Sequence, residues 1–190
     1  MNRTSLALSI ALALTASGGC KKSDNADNGV APTKAAAKAA GDETIAKGLA
    51  AASTDSKFVA AIKAAGLEPT LAGPGPYTVL VPDDQAFAKL PAGALDALMA
   101  PAGKRELIKL LTFHVLPGTM RSADIAKAID GRNGKALLIT MQGGTLTAIK
   151  AGGKLVLTDD TGDHAVVTGA DDKRSNGIVH HLDTVLMPKS

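Results

Sequence analysis

An α+β domain is what this sequence predicts, on three observations. Apolar residues recur at helical spacing through the first half of the region after residue 42. The second half holds short apolar runs separated by Gly-Gly pairs, the punctuation of antiparallel hairpins. The helical stretch comes first and the strand-rich stretch second, an order that suits helices packed on a mainly antiparallel sheet. Residues 43–190 are read as a single such domain, with no internal repeat.

The elements follow in chain order. Asn2-Arg3 supplies a short positive region, Ser5 to Ala16 is an apolar run, and Ser17-Gly18-Gly19 leads into Cys20, the one cysteine of the 190 residues. A membrane-spanning helix needs about 20 apolar residues, so residues 1–19 read as a secretory signal peptide. Small residues immediately before a cysteine resemble the lipobox of bacterial lipoproteins, with Ser17 where that motif usually has Leu. The resemblance implies a lipid on Cys20 that anchors the protein in a membrane of the cell envelope, because several acyl chains on one residue hold stably. The alternative is a secreted, unlipidated domain with a free thiol. Lys21 stands where an Asp would resemble an inner-membrane retention signal, so the outer membrane is the expected address. Residues 20–42 carry no large apolar side chain except Val30 and read as a flexible linker.

Ile45, Leu49 and Ala52 share one helical face, and Phe58, Val59, Ile62 and Leu67 form another after Asp55, a candidate N-cap, with Gly66 as the helix stop. Gly73-Pro-Gly-Pro76 breaks the chain before Tyr77–Val81, a buried strand. Asp83 is placed to cap the helix holding Phe87 and Leu90, and Asp84 suits the positive end of its dipole. Leu95, Leu98 and Met99 suggest a short helix, and Leu107 to Thr112 another. Phe113–Leu116 reads as a strand, and a small helix follows Ser122, a possible cap. Leu137–Met141, Thr145–Ile149, Lys154–Thr158, His164–Gly169 and Gly177–Leu186 complete the strands. Asn176-Gly177 before the last of them is a turn signal, since Gly accepts positive φ.

Charge excludes some partners. The chain has 21 Lys+Arg against 18 Asp+Glu. No basic run exceeds two residues, and the aromatic rings are Phe58, Tyr77, Phe87 and Phe113 alone. Neither a nucleic-acid platform nor a polybasic membrane patch is expected.

Three segments align with one family. Tyr77-Thr-Val-Leu-Val-Pro-Asp-Asp-Gln-Ala-Phe87 resembles the first signature of fasciclin (FAS1) domains. Leu110-Leu-Thr-Phe-His-Val-Leu-Pro-Gly118 resembles their central Tyr-His segment, and Ser175 to Pro188, with its Asn-Gly, His and Asp, resembles the second signature. The resemblance runs from about Thr44 to Pro188 and implies a wedge of two β-sheets with helices packed around one edge. It also implies non-enzymatic adhesion or binding, with an unidentified protein or glycan as ligand, no cofactor, and a domain that is monomeric. Its motif residues fall here on Asp83, Phe87, His114, Asn176, Gly177, His180 and Asp183. Phe113 stands in place of the usual Tyr and Asp83 in place of the usual Thr, which brings a charge near a motif histidine. Animal relatives carry Asp-Ile before the Asn-Gly turn, linked to integrin binding. Here those positions are Asp171-Asp172, so integrin-type adhesion is not carried over.

His114 and His180 sit in apolar contexts, where a neutral imidazole is satisfied by one donated and one accepted bond. Asp83, Asn176 or a backbone group are the candidate partners. The rival reading is a metal-dependent or hydrolytic enzyme, with His114, His180, Asp83 and Asp183 as the possible ligands or His114 and His180 as bases. It lacks a His/Cys spacing motif and a Gly-x-Ser-x-Gly nucleophile. His181 alternates with His180 and is expected to face solvent, and His164 to sit near a loop end. Asp159-Asp160-Thr-Gly-Asp163 lacks the spacing of an EF-hand and reads as a solvated turn.

Overall fold

The computed structural model describes residues 41–189, so the leader, Cys20 and nearly all of the linker lie outside the described residues. Helix α1 (Ile45–Ala51) starts at Thr44, whose hydroxyl accepts from the Lys47 N–H at 3.4 Å. Helix α2 (Ser56–Ala65) stops at Gly66, where φ is 77°, a left-handed turn that a side chain would resist. Helix α3 (Glu68–Ala72) is too short to leave a visible period and is absent from the expected elements. Strand β1 (Tyr77–Pro82) leads into α4 (Asp84–Ala88) and α5 (Ala94–Met99). Helix α6 (Lys104–Phe113), β2 (Val115–Pro117) and α7 (Ser122–Asp130) precede the run β3 (Lys135–Ile139), β4 (Thr145–Ala151), β5 (Lys154–Thr158), β6 (His164–Arg174) and β7 (Gly177–Leu182).

The strands lie in the order β2-β1-β7-β6-β5-β4-β3. Neighbours are antiparallel except β1 and β7, which run parallel from Tyr77↔Gly177 to Pro82↔Leu182. Strand β6 turns one sheet into two arms. Residues 164–166 pair with β5, residues 167–174 pair with β7, and two register shifts lie between Val167 and Asp172. Such bulges bend a strand. The two edges approach each other where the Met141 N–H donates to the Val115 carbonyl at 2.7 Å.

Strands β1 and β7 alternate their side chains between two cores. Val79, Val81 and Val179 face the helices and pack with Ile45, Phe58, Leu107 and Leu111. Leu80 and Leu182 face the inside of the wedge and pack with Phe113, Leu146, Leu157 and, from α7, Ile125 and Ile129. The predicted α+β wedge of two sheets with helices on one side is therefore the observed architecture.

Local readings differ at several boundaries: β3, expected as Leu137–Met141, runs Lys135–Ile139, β4 ends at Ala151 and not Ile149, and three further differences touch the motifs. The helix before the central motif runs one residue further, through Phe113, so the expected strand starts only at Val115. Strand β6 continues to Arg174, past the predicted end at Gly169, because its bulges hide the two-residue period. Strand β7 ends at Leu182, short of the expected Leu186.

Candidate functional site

Asn176 is a hub at the tip of the β6–β7 turn. Its Oδ1 accepts from the Ile45 N–H at 2.8 Å, and its Nδ2 donates to the carbonyls of Leu71 and Gly73, each at 2.8 Å. Its own carbonyl accepts from the Tyr77 N–H at 3.1 Å. One residue thus fixes the start of α1 and the end of α3 with its side chain and the entry of β1 with its carbonyl. Gly177 opens β7, and its φ is not among the positive ones. The glycine is needed for another reason than the expected turn: a Cβ there would strike the Tyr77 carbonyl and the Ile45 side chain.

His180 is buried on the inner face of β7, opposite Leu80. Its Nε2–H donates to the Met120 carbonyl at 2.8 Å, and its Nδ1 accepts from the Asp171 N–H at 3.2 Å. Those partners leave it one tautomer, because a carbonyl only accepts and an N–H only donates. Asp171 sits at the bulge with φ of 62°, and its carboxyl accepts from both the N–H and the hydroxyl of Ser122. Burial pushes the Asp171 carboxyl up, but the two Ser122 bonds outweigh it and hold it below the usual range. Ser122 is thus the first residue of α7 and a donor to β6, and not the expected cap. Serine, aspartate and histidine are close here without forming a catalytic triad. The serine hydroxyl is committed to the carboxyl, and the histidine meets only main-chain groups.

His114 is fully buried at the end of α6 and takes the opposite tautomer. Its Nδ1–H donates to the Leu110 carbonyl at 2.9 Å, and its Nε2 accepts from the Leu186 N–H at 3.3 Å. The rings of Phe58 and Phe113 stand edge-on to it, with centroids 6.2 and 6.4 Å away. Burial drives its pKa down from 6.5 to about 4, only partly opposed by the Leu110 bond and the charge of Asp159. The acidic group that acts on this histidine is Asp159, not Asp83. Asp159 is itself buried, contrary to the solvated turn expected of residues 159–163. Its Oδ1 gathers the N–H groups of Thr161 and Asp163 and the Thr161 hydroxyl, and its Oδ2 takes the Met187 N–H at 2.8 Å. The carboxyl pins the chain beyond β7 to the β5–β6 loop.

Asp83 caps α4, accepting from the Ala86 N–H at 2.6 Å, and Phe87 packs into the helix-side core. The next residue reaches across to a neighbour. Asp84 accepts from the Lys57 N–H at 2.8 Å and the Ser56 hydroxyl at 2.6 Å, and so caps α2 from outside. Burial raises the Asp84 carboxyl, but the Ser56 and Lys57 bonds win and hold it below its ordinary value. Asp183 extends the ladder beyond β7, with its Oδ1 accepting from the Val166 N–H at 2.8 Å and its carbonyl from the Lys89 ammonium at 2.6 Å.

The residue expected to cap α2, Asp55, makes no capping bond. It is completely buried, and its Oδ2 is the one buried side-chain polar atom among the described residues with no hydrogen-bond partner. Its Oδ1 lies 3.5 Å from Nδ1 of His181, whose side chain is 26% exposed. The expectation of a solvent-facing His181 is therefore corrected. It does face away from His180, but that side of β7 is covered by the start of α2. The Asp55 bond raises the His181 pKa above its ordinary value, against burial. A pKa raised by folding gives stability that is complete below the unfolded value of about 6.5 and is lost as pH rises through the folded one. The stability gap between wild type and His181→Ala should therefore be widest near pH 6 and narrow by pH 9. Urea melts at the two pH values measure it, and a gap that widens with pH would contradict the pairing.

The signature residues do not converge. His114 and His180 bond separate main-chain groups, Asp83 lies at α4, and Asp183 lies beside Val166. Among the described residues no three His, Cys, Asp or Glu side chains are placed to hold a metal ion. His164, at the first position of β6, is exposed and bonds Thr158 at 2.8 Å. An apolar cleft opens elsewhere, between α2, α3, β1 and β2, with Phe58, Leu67, Tyr77, Val115 and Met141 in its walls. It carries no charged group. No helix among the described residues is long and apolar enough to cross a membrane.

Fold and site together define an α+β wedge whose motif histidines are internal struts. The chain belongs to the fasciclin-domain family, whose profile matches residues 53–188. It is 36% identical over 146 residues to Protein sll1483 of a Synechocystis species, covering 76% of this chain and 73% of that protein. It is 36% identical over 114 residues to the cell surface glycolipoprotein MPB83 of Mycobacterium bovis, covering 60% of this chain and 44% of that one. The FAS1 domain pair of the insect cell adhesion molecule fasciclin I superposes with a TM-score of 0.60 at 18% identity, over 76% of this chain and 50% of the other.

Proposed function

We propose that this protein is a lipid-anchored binding module of a bacterial cell envelope that performs no chemistry of its own. The observation that carries the reading is the engagement of all four signature imidazole nitrogens with main-chain atoms. Groups used as internal braces are not free to transfer protons or bind metal, so recognition falls to the outer surface. The rival reading, an enzyme built on His114 and His180, has no observation in its favour. Family membership and the relative named as a cell surface glycolipoprotein support an adhesive role at a surface.

The lipid sits on Cys20 in the outer membrane, and residues 21–42 act as a tether reaching on the order of 25 Å. The ligand is a protein or glycan. In cell fractionation the wild-type protein should pellet with membranes, and Cys20→Ala should appear in the soluble fraction. A variant that pellets like wild type would refute the anchor. Crosslinking on intact cells then identifies what the domain holds, and the absence of any captured protein or glycan would refute the binding role.

A further inference from the structure

Strand β3 closes one side of the sheet, and its hydrogen bonding reveals which residues look outward. The Thr140 N–H donates to the Gly144 carbonyl at 2.9 Å, and the β3–β4 register sets Leu138 opposite Leu146 and Ala136 opposite Ala148. Bonded pairs alternate along an antiparallel ladder. Ala136, Leu138 and Thr140 therefore direct their main chain toward β4, and Lys135, Leu137, Ile139 and Met141 direct theirs away. At Met141 the outward N–H meets Val115 of β2. At Leu137 and Ile139 the outward N–H and carbonyl groups meet no main-chain partner among the described residues.

The side chains at the same positions are exposed too, Leu137 by 61%, Ile139 by 64% and Met141 by 48%. Soluble proteins usually blunt such an edge with lysines, proline, a bulge or a covering element, because it is a template for pairing. Strand β3 has Lys135 at its first residue and β2 alongside its C-terminal end, and none of these devices at Leu137 between them. Beside the edge, Thr145, Thr147 and Ile149 of β4 share the outward face with Val156 and Thr158 of β5, without a charge among them. The charges stand at the two ends. Arg132, Lys135 and Lys154 are exposed at one and form no ion pair among the described residues, and Asp160 and Asp163 are exposed at the other.

We propose that β3 pairs antiparallel with β3 of a second copy of this chain, about a two-fold axis at Leu137, so that the sheet continues from one molecule into the next. Leu137 then exchanges both main-chain bonds with its twin, and Ile139 stands opposite Lys135 of the second copy. An isologous contact of this kind is self-complementary. The antiparallel order brings the cationic end of each copy alongside the acidic end of the other, where a parallel order would place like charges together. The pairing also sets Leu137 beside its twin across the seam and Ile139 beside the stem of Lys135, which covers part of the exposed aliphatic surface. It departs from the monomer expected from the sequence.

The test uses the full chain carrying Cys20→Ser, which removes the native thiol and any lipid. Sedimentation over a concentration series should show a reversible monomer–dimer equilibrium. Leu137→Lys should weaken it by roughly tenfold or more, with the melting temperature unchanged because the side chain is exposed. In the same background Leu137→Cys should join two chains through a short bismaleimide, since opposed Cα atoms in a bonded antiparallel pair lie about 5.5 Å apart. Thr158→Cys, two strands in from the edge, should stay uncrosslinked. A chain that remains monomeric up to about 1 mM, a dimer indifferent to Leu137→Lys, or equal crosslinking at both positions overturns the proposal.

Discussion

Acid should destabilise this domain in a window set by His114. The unfolded chain binds a proton on this imidazole at about 6.5, and the folded chain refuses it until about 4. Between those values the unfolded state holds more protons, so stability falls as pH falls, and the loss levels off below about 4. At about 1.4 kcal/mol per pH unit the window is worth about 3 kcal/mol, a large share of the 5–15 kcal/mol typical of a domain. The carboxyls of Asp84 and Asp171, held below their ordinary 3.8, add to the loss only from about pH 5 downward, so the upper part of the window belongs to His114. Urea melts between pH 7 and pH 4 should show the slope in wild type. His114→Gln does not titrate there and should lose the slope, whatever its absolute stability. A wild-type curve that is flat from pH 6.5 to 4 would mean that the imidazole is protonated inside the fold.

Asn176→Ala should be the most damaging single side-chain truncation on the surface of the wedge. It removes one accepted and two donated bonds and leaves the Ile45 N–H and the carbonyls of Leu71 and Gly73 without this partner. At about 1 kcal/mol per bond, more where the abandoned group stays buried, the cost is roughly 3 kcal/mol or above. In a domain of this size that lowers the melting temperature by roughly 6–12 °C. Asn176→Asp keeps an acceptor for Ile45 but sets carboxylate oxygens against two carbonyls, so at neutral pH it should be at least as harmful. Differential scanning calorimetry of the two variants reads the effect. Melting within a degree or two of wild type would mean that these bonds are replaced by water at no loss.

What the sequence revealed, and what it hid, follows from distance along the chain. The three signatures are contiguous runs, so the family and its wedge could be read from them directly. Local caps such as Asp83 on Ala86 are legible for the same reason, because donor and acceptor lie three residues apart. Pairings between remote segments are not. Nothing near Asp55 announces that it will lie under β7 against His181, or that Asp84 will take over the cap of α2. Asp159 looked like one of a group of solvated acids because its partner Met187 is far along the chain. Gly177 was recognisable as part of a motif, but its reason is the closeness of β1, which no local rule contains.

The parallel pairing of β1 with β7 has a consequence for how the molecule comes into being. The first strand made must wait for the last, so the middle of the sheet has no second wall until residue 177 and its successors have left the ribosome. Sequence-distant pairing of this kind slows folding, because a long loop must close before any contact rewards it. A nascent or truncated chain ending before Asn176 leaves one edge of β1 unpaired and lacks the side chain that ties the start of α1 to the end of α3. The domain therefore reaches its native form only once residues 177–182 are available to β1.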